Sequence, residues 1–136
     1  MKILVVGSGG REHAIAWKMS QNKTIEKIYC APGNAGTEMI DVVENVNVNA
    51  MDEIVEFAAA NNIDFTIVGS EEMLVDGIVD LFNEKGLTIF GPNKQAALLE
   101  GSKTYSKDFM KKYGVKTAAY ENFDDSKLAK KYLETC

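Results

Sequence analysis

The first fourteen residues constrain this chain more than any other stretch. The apolar run Ile3-Leu4-Val5-Val6 breaks directly into Gly7-Ser8-Gly9-Gly10-Arg11-Glu12-His13-Ala14. A buried strand that feeds a glycine-rich turn and then a helix is how α/β proteins present backbone N–H groups to a phosphate. Glycine lacks the Cβ that would block close approach, and the first helical turn leaves N–H donors without partners. The helix dipole adds the equivalent of roughly half a positive charge at the same point. Strand, loop and helix together predict a phosphorylated small-molecule ligand.

The spelling of the loop narrows the choice. A dinucleotide fingerprint requires G-x-G-x-x-G, with an acid about 20 residues further on for the ribose hydroxyls. Gly7 and Gly9 fit, but Glu12 stands where the third glycine belongs. The second apolar run, Lys27-Ile28-Tyr29-Cys30, continues into Ala31-Pro32-Gly33 and not into an acid. An NAD-binding oxidoreductase domain is therefore the secondary reading. No Gly-Lys-Ser/Thr triplet occurs, so a Walker loop is not supported.

The 136 residues, 46% hydrophobic and 26% charged, suit one globular domain. A net charge of -5 argues against nucleic acid, which is held by surplus Lys and Arg. Cys30 and Cys136 are far apart and suggest neither a disulfide framework nor a metal site. No run approaches membrane length, and a cytoplasmic location is the simplest expectation.

Short β-rich runs alternate with helical patterns, which predicts an α/β fold: a parallel, Rossmann-like sheet with helices on both faces. Strands are expected at 2–6, 27–30, 45–48, 64–68 and 87–90. Leu74, Val75, Ile78, Val79 and Phe82 form one continuous helical stripe, and Ile54, Val55, Ala58 and Ala59 form another. Loops at the strand ends carry Gly7, Gly33, Gly69 and Gly91, gathering on one rim, where α/β sheets bind ligands. Beyond Gly114, an extended patch at 115–120 and a helical pattern from Asp124 look like the start of a second lobe.

Five segments in order carry a family resemblance: Gly-Ser-Gly-Gly-Arg-Glu-His-Ala at 7–14, Ala-Pro-Gly-Asn-Ala-Gly-Thr at 31–37, Val-Gly-Ser-Glu at 68–71, Gly-Pro-Asn-Lys at 91–94 and Glu-Gly-Ser-Lys at 100–103. Together they closely resemble the phosphoribosylamine–glycine ligases (glycinamide ribonucleotide synthetases) of the ATP-grasp superfamily. The chain departs from the family's usual Val-Gly-Pro-Glu at Ser70 and ends where the family continues into its ATP-grasp region. The resemblance implies residues 1–114 as a sugar-phosphate-binding, pre-ATP-grasp domain and 115–136 as the start of a truncated ATP-grasp region. It also implies ATP-dependent joining of glycine to 5-phosphoribosylamine in purine biosynthesis, with ATP and Mg²⁺ in the full enzyme and no tightly bound cofactor on this fragment. The fragment is expected to be inactive alone, its partners being small-molecule substrates and the missing lobes of the same chain.

Roles follow on that basis, without a protein nucleophile. Gly9, Gly10 and the N–H groups of Arg11 and Glu12 are expected to hold the 5-phosphate. Arg11 either pairs with the phosphate, orients Glu12, or is a solvated charge. Glu12 needs hydrogen bonds from ribose hydroxyls or Arg11 to sit beside a phosphate. His13, the sole histidine, reads as a structural partner more than a catalyst. Glu71 is placed at the ribose hydroxyls and 1-amine, ahead of Glu72. Asn34 either reaches the sugar or accommodates a left-handed turn. Lys103 matches the position of a lysine near the ATP phosphates, whereas Lys107 and Lys111 on the same helix face read as solvated.

Overall fold

The computed structural model describes residues 1–135; Cys136, and with it any statement about its thiol, lies outside them. Two compact units divide the chain, the first spanning Met1–Ala97 and the second beginning at Leu98.

In the first unit, β1 (Lys2–Gly7), β2 (Lys27–Pro32), β3 (Val43–Asn45), β4 (Phe65–Val68) and β5 (Ile89–Phe90) form one sheet in the order β3-β2-β1-β4-β5. Every neighbouring pair is parallel. The helices between them are α1 (Gly10–Ser20), α2 (Ala35–Glu38), α3 (Met51–Ala60), α4 (Glu71–Asp76) and α5 (Ile78–Glu84), followed by α6 (Lys94–Gly101).

Side chains alternate across the central strand, as the pleat requires. Ile3 and Val5 pack with Ala16 of α1 and with Ile28, Cys30 and Val43. Leu4 and Val6 point the other way, into a larger cluster with Ile54, Ala58, Leu74, Ile78 and Phe82. Apolar residues on both sides of β1 are what places helices on both faces, as expected. Phe82 is fully buried, and its cluster anchors the helices that carry the far wall of the site.

Three local expectations are corrected. The third strand is Val43–Asn45 and not 45–48. It ends at Asn45, whose side chain turns to the α2 loop: its Nδ2 donates to the Asn34 carbonyl at 2.8 Å, and its Oδ1 accepts from Thr37 Oγ1 at 2.6 Å. The stripe from Leu74 to Phe82 does become one buried face, but not one helix. Gly77 at φ 102° breaks it into α4 and α5, since the left-handed conformation is open to glycine and ends α4 with a reversed cap. The fifth strand shortens to two residues.

In the second unit, α7 (Lys103–Lys112) and α8 (Ser126–Leu133) flank an extended segment. Ala97 is the last buried residue in the described chain, so α7, assigned to the sheet domain by a boundary at 114, belongs to the second compact unit. The patch at 115–120 joins no sheet. Lys107 Nζ instead ties it to α7, donating to Thr117 Oγ1 at 2.6 Å and to the Ala118 carbonyl at 3.3 Å. Lys107 is thus engaged and not merely solvated. No helix among the described residues is long and apolar enough to cross a membrane.

Candidate sugar-phosphate site

The carboxyl ends of β1 and β4 and the N-termini of α1 and α4 surround a cleft of about 470 Å³, a size suited to a small ligand. Gly9, Arg11 and Glu12 line one side, and Ser70, Glu71 and Glu72 the other. Ser8, Pro32, Asn49 and Met73 also line it. The sequence signals no role for these four, because contacts made by strand ends and loop backbones leave no side-chain signature.

Gly9 caps α1 in an extended conformation, with no side chain to satisfy the helix start. The N–H groups of Gly10, Arg11 and Glu12 therefore have no acceptor among the described residues, as the first turn of a helix dictates. The Gly9 N–H is different: it donates to Glu12 Oε2 at 2.5 Å.

Glu12 is the residue that sequence reasoning placed least well. Its side chain is only 3% exposed. Arg11 does not satisfy it, its guanidinium pairing with Glu71 instead; the Glu12 carboxylate folds back under its own loop. A Cβ built on Gly7 would lie 2.8 Å from Glu12 Cδ, and one on Gly69 1.8 Å from Oε1. Glycines 7 and 69 thus make room for a carboxylate, so the loop's glycine richness has a second cause besides phosphate approach. Oε1 itself is buried and without a hydrogen-bond partner.

Arg11 pairs across the cleft with Glu71, Nη2 to Oε1 at 2.8 Å. Both side chains are about half exposed, 61% and 48%, so the pair contributes at most about 1 kcal/mol. An arriving anion can take Arg11 at little cost. Glu71 opens α4 behind the Ser70 cap, whose Oγ accepts the Met73 N–H at 3.4 Å.

Asn34 adopts φ -153°, extended and not left-handed. Its Oδ1 caps α2 by accepting from the Gly36 and Thr37 N–H groups at 2.8 and 3.1 Å. Its Nδ2 donates to the carbonyls of Ser8 and Gly9 at 2.9 and 3.1 Å. Both ends of the amide are thereby committed: the oxygen to capping α2, the nitrogen to tying the β2 loop to the glycine loop. His13 lies against α2, where a Cβ on Gly36 would approach its ring at 2.7 Å. Lys103 opens α7 behind the Ser102 cap in the second unit and is described there alone.

Beneath this network sits the buried Cys30. Burial pushes its thiol up from 9.0 to about 11; Thr37 opposes the shift and the Glu12 charge adds to it. A group whose pKa is raised by folding lends stability that is complete below its unfolded value and is lost as pH climbs through the folded one. Unfolding free energy should therefore fall as pH rises from about 9 towards about 11, and Cys30→Ala should flatten that part of the profile in urea titrations. Identical slopes in both proteins would remove Cys30 as the cause.

The family model described as "Phosphoribosylglycinamide synthetase, N domain" matches residues 1–100, and the one described as "Phosphoribosylglycinamide synthetase, ATP-grasp (A) domain" matches residues 101–136. The chain belongs to the phosphoribosylglycinamide synthetase family. It is 62% identical over 136 residues to the phosphoribosylamine–glycine ligase of Clostridium acetobutylicum, covering 100% of this chain and 33% of that protein. With the same ligase of Fusobacterium nucleatum it shares 62% over 134 residues, 98% of this chain and 32% of the relative. The crystal structure of the phosphoribosylamine–glycine ligase of Thermotoga maritima superposes with a TM-score of 0.72 at 30% identity, over 99% of this chain and 30% of that one. The biotin carboxylase domain of the Hydrogenobacter thermophilus 2-oxoglutarate carboxylase shares the fold, with a TM-score of 0.69 at 23% identity over 98% and 32% of the two chains. The chain spans about a third of the length of these family relatives.

Proposed function

We propose that this chain forms the sugar-phosphate lobe of a phosphoribosylamine–glycine ligase, with a cytoplasmic place in purine synthesis. The reading rests on one observation above the others. The start of α1, with its unpartnered N–H groups, borders through Arg11 and Glu12 a cleft whose opposite wall carries Glu71; Gly10 is not among the cleft-lining residues. Family membership supports it.

In the proposed reaction ATP transfers its terminal phosphoryl group to the glycine carboxylate, giving an acyl phosphate and ADP. The 1-amine of 5-phosphoribosylamine attacks the acyl carbon, the new C–N bond forms, the C–O bond to phosphate breaks, and the amine proton leaves to solvent. This lobe contributes position and electrostatics. The 5-phosphate takes the N–H groups of Gly10, Arg11 and Glu12 and draws the Arg11 guanidinium away from Glu71. Glu71, so released, accepts hydrogen bonds from the ribose hydroxyls and the 1-amine. Asn34 acts through the loop that it ties, without touching ligand.

ATP and Mg²⁺ are proposed for the whole enzyme, with Lys103 near the nucleotide phosphates. The described residues hold no cluster of three or more His, Cys, Asp or Glu fit for a metal.

Titrating the chain with glycinamide ribonucleotide while recording amide NMR shifts tests this. Saturable shifts at 8–13 and 70–72, without ATP turnover by the chain alone, are expected. Glu71→Ala should weaken binding by about 10–100-fold, the worth of hydrogen bonds to a charged group. Saturation of the same loop by NAD, with no response to the ribonucleotide, would overturn the proposal in favour of a dinucleotide domain.

A further inference from the structure

The strand order β3-β2-β1-β4-β5 reverses direction between β1 and β4. In doubly wound sheets this is the crevice that a dinucleotide crosses, its pyrophosphate lying over the glycine loop, with a third glycine allowing the first helix to approach closely. Glu12 occupies that third position. Its side chain lies against Gly7 at the end of β1 and against Gly69, the residue after β4, so it spans the reversal point.

We propose that Glu12 is a specificity residue that plugs the β1–β4 crevice and confines the glycine loop to a single terminal phosphate. Two observations carry this. Oε2 removes the Gly9 N–H from the donors available to a ligand, leaving the N–H groups of Gly10, Arg11 and Glu12. Three donors match the terminal oxygens of one phosphate. Oε1, 97% buried with its residue and unpartnered, faces the path towards β4. A second phosphate following that path meets a carboxylate, which only accepts hydrogen bonds and repels an anion. A buried carboxylate oxygen without a partner is destabilising, so its presence marks a requirement other than stability. The inference rests on the phosphate-binding reading of the loop above and adds what the loop rejects.

The test compares ribose 5-phosphate with ADP-ribose, which carries the same sugar phosphate within a diphosphate, by calorimetric titration of the chain and of Glu12→Gly and Glu12→Ala. The unaltered chain should prefer ribose 5-phosphate. Glu12→Gly should raise the ratio of ADP-ribose affinity to ribose 5-phosphate affinity by about tenfold or more. Should the glycine variant fail to fold, as judged by circular dichroism, Glu12→Ala empties the same space with a better helix former and should show the same change of preference. A folded variant that loses both ligands in parallel, or whose affinity ratio is unchanged, overturns the proposal. If the unaltered chain ignores ribose 5-phosphate, the sugar-phosphate reading fails. A gain of ADP-ribose binding on emptying the crevice still supports the plug in that case, so the two failures are told apart.

Discussion

Replacing Gly69 by alanine should destabilise the first unit by about 2–4 kcal/mol, with a fall in melting temperature of roughly 10 °C. Gly69 is not among the glycines with positive φ, so alanine meets no backbone strain there. The cost comes from one collision: the new methyl would stand 1.8 Å from Glu12 Oε1 and 2.6 Å from Cδ. A flexible glutamate end usually swings away. This one is held back, because the residue is 3% exposed and its Oε2 is bound by the Gly9 N–H at 2.5 Å. Overpacking of this kind costs about 1–3 kcal/mol, and the displaced carboxylate also releases the Gly9 N–H, adding about 1 kcal/mol or more. Adding Glu12→Ala to the alanine variant should recover most of the loss, giving a coupling energy of about 1–3 kcal/mol in a double-mutant cycle. A Gly69→Ala protein that melts with the unaltered chain would show that the glutamate is not caged.

Asn34→Ala should lower stability by about 2–3 kcal/mol and weaken ribose 5-phosphate binding about tenfold. The amide oxygen caps α2 through two N–H groups, worth about 0.5–2 kcal/mol. The amide nitrogen holds the Ser8 and Gly9 carbonyls, and each such bond contributes about 0.5–1.5 kcal/mol, less where water replaces it. Losing them frees the glycine loop from the β2 loop, so the donors of α1 must be ordered at the moment of binding. Asn34→Asp separates the two effects. It keeps both cap acceptors but sets an anion against two carbonyls and beside the phosphate, so affinity should fall by more than stability does. Calorimetric titration and urea unfolding of the three proteins measure both quantities, and ligand affinity unchanged in Asn34→Ala would end the tying role.

The strand–glycine–helix start and the parallel α/β class were legible because they are local. An apolar run against a glycine cluster is a one-dimensional signal, and β1 is buried on both faces as its continuous apolar run predicts. The family resemblance drew on the same loops, and Arg11, Glu12 and Glu71 do line one cleft. The misplaced third strand and the divided α4–α5 stripe failed for different reasons. Asn45 is the last residue of its strand, and its side chain is engaged by partners 8 and 11 residues away in sequence. Gly77 breaks a helix whose apolar period runs on unbroken, since periodicity reports which face is buried and not whether the backbone is continuous.

By itself, then, the sequence determined the fold class, the rim on which the glycine-bearing loops gather, and the family, all written in short apolar and glycine patterns. Only the tertiary structure decided what the polar residues of those loops do. It folded Glu12 inward between two glycines 62 positions apart in the chain, committed Asn34 to the loop backbone, and set Arg11 against Glu71. Such pairings depend on which strand ends become neighbours in the sheet, and no spacing along the chain encodes that.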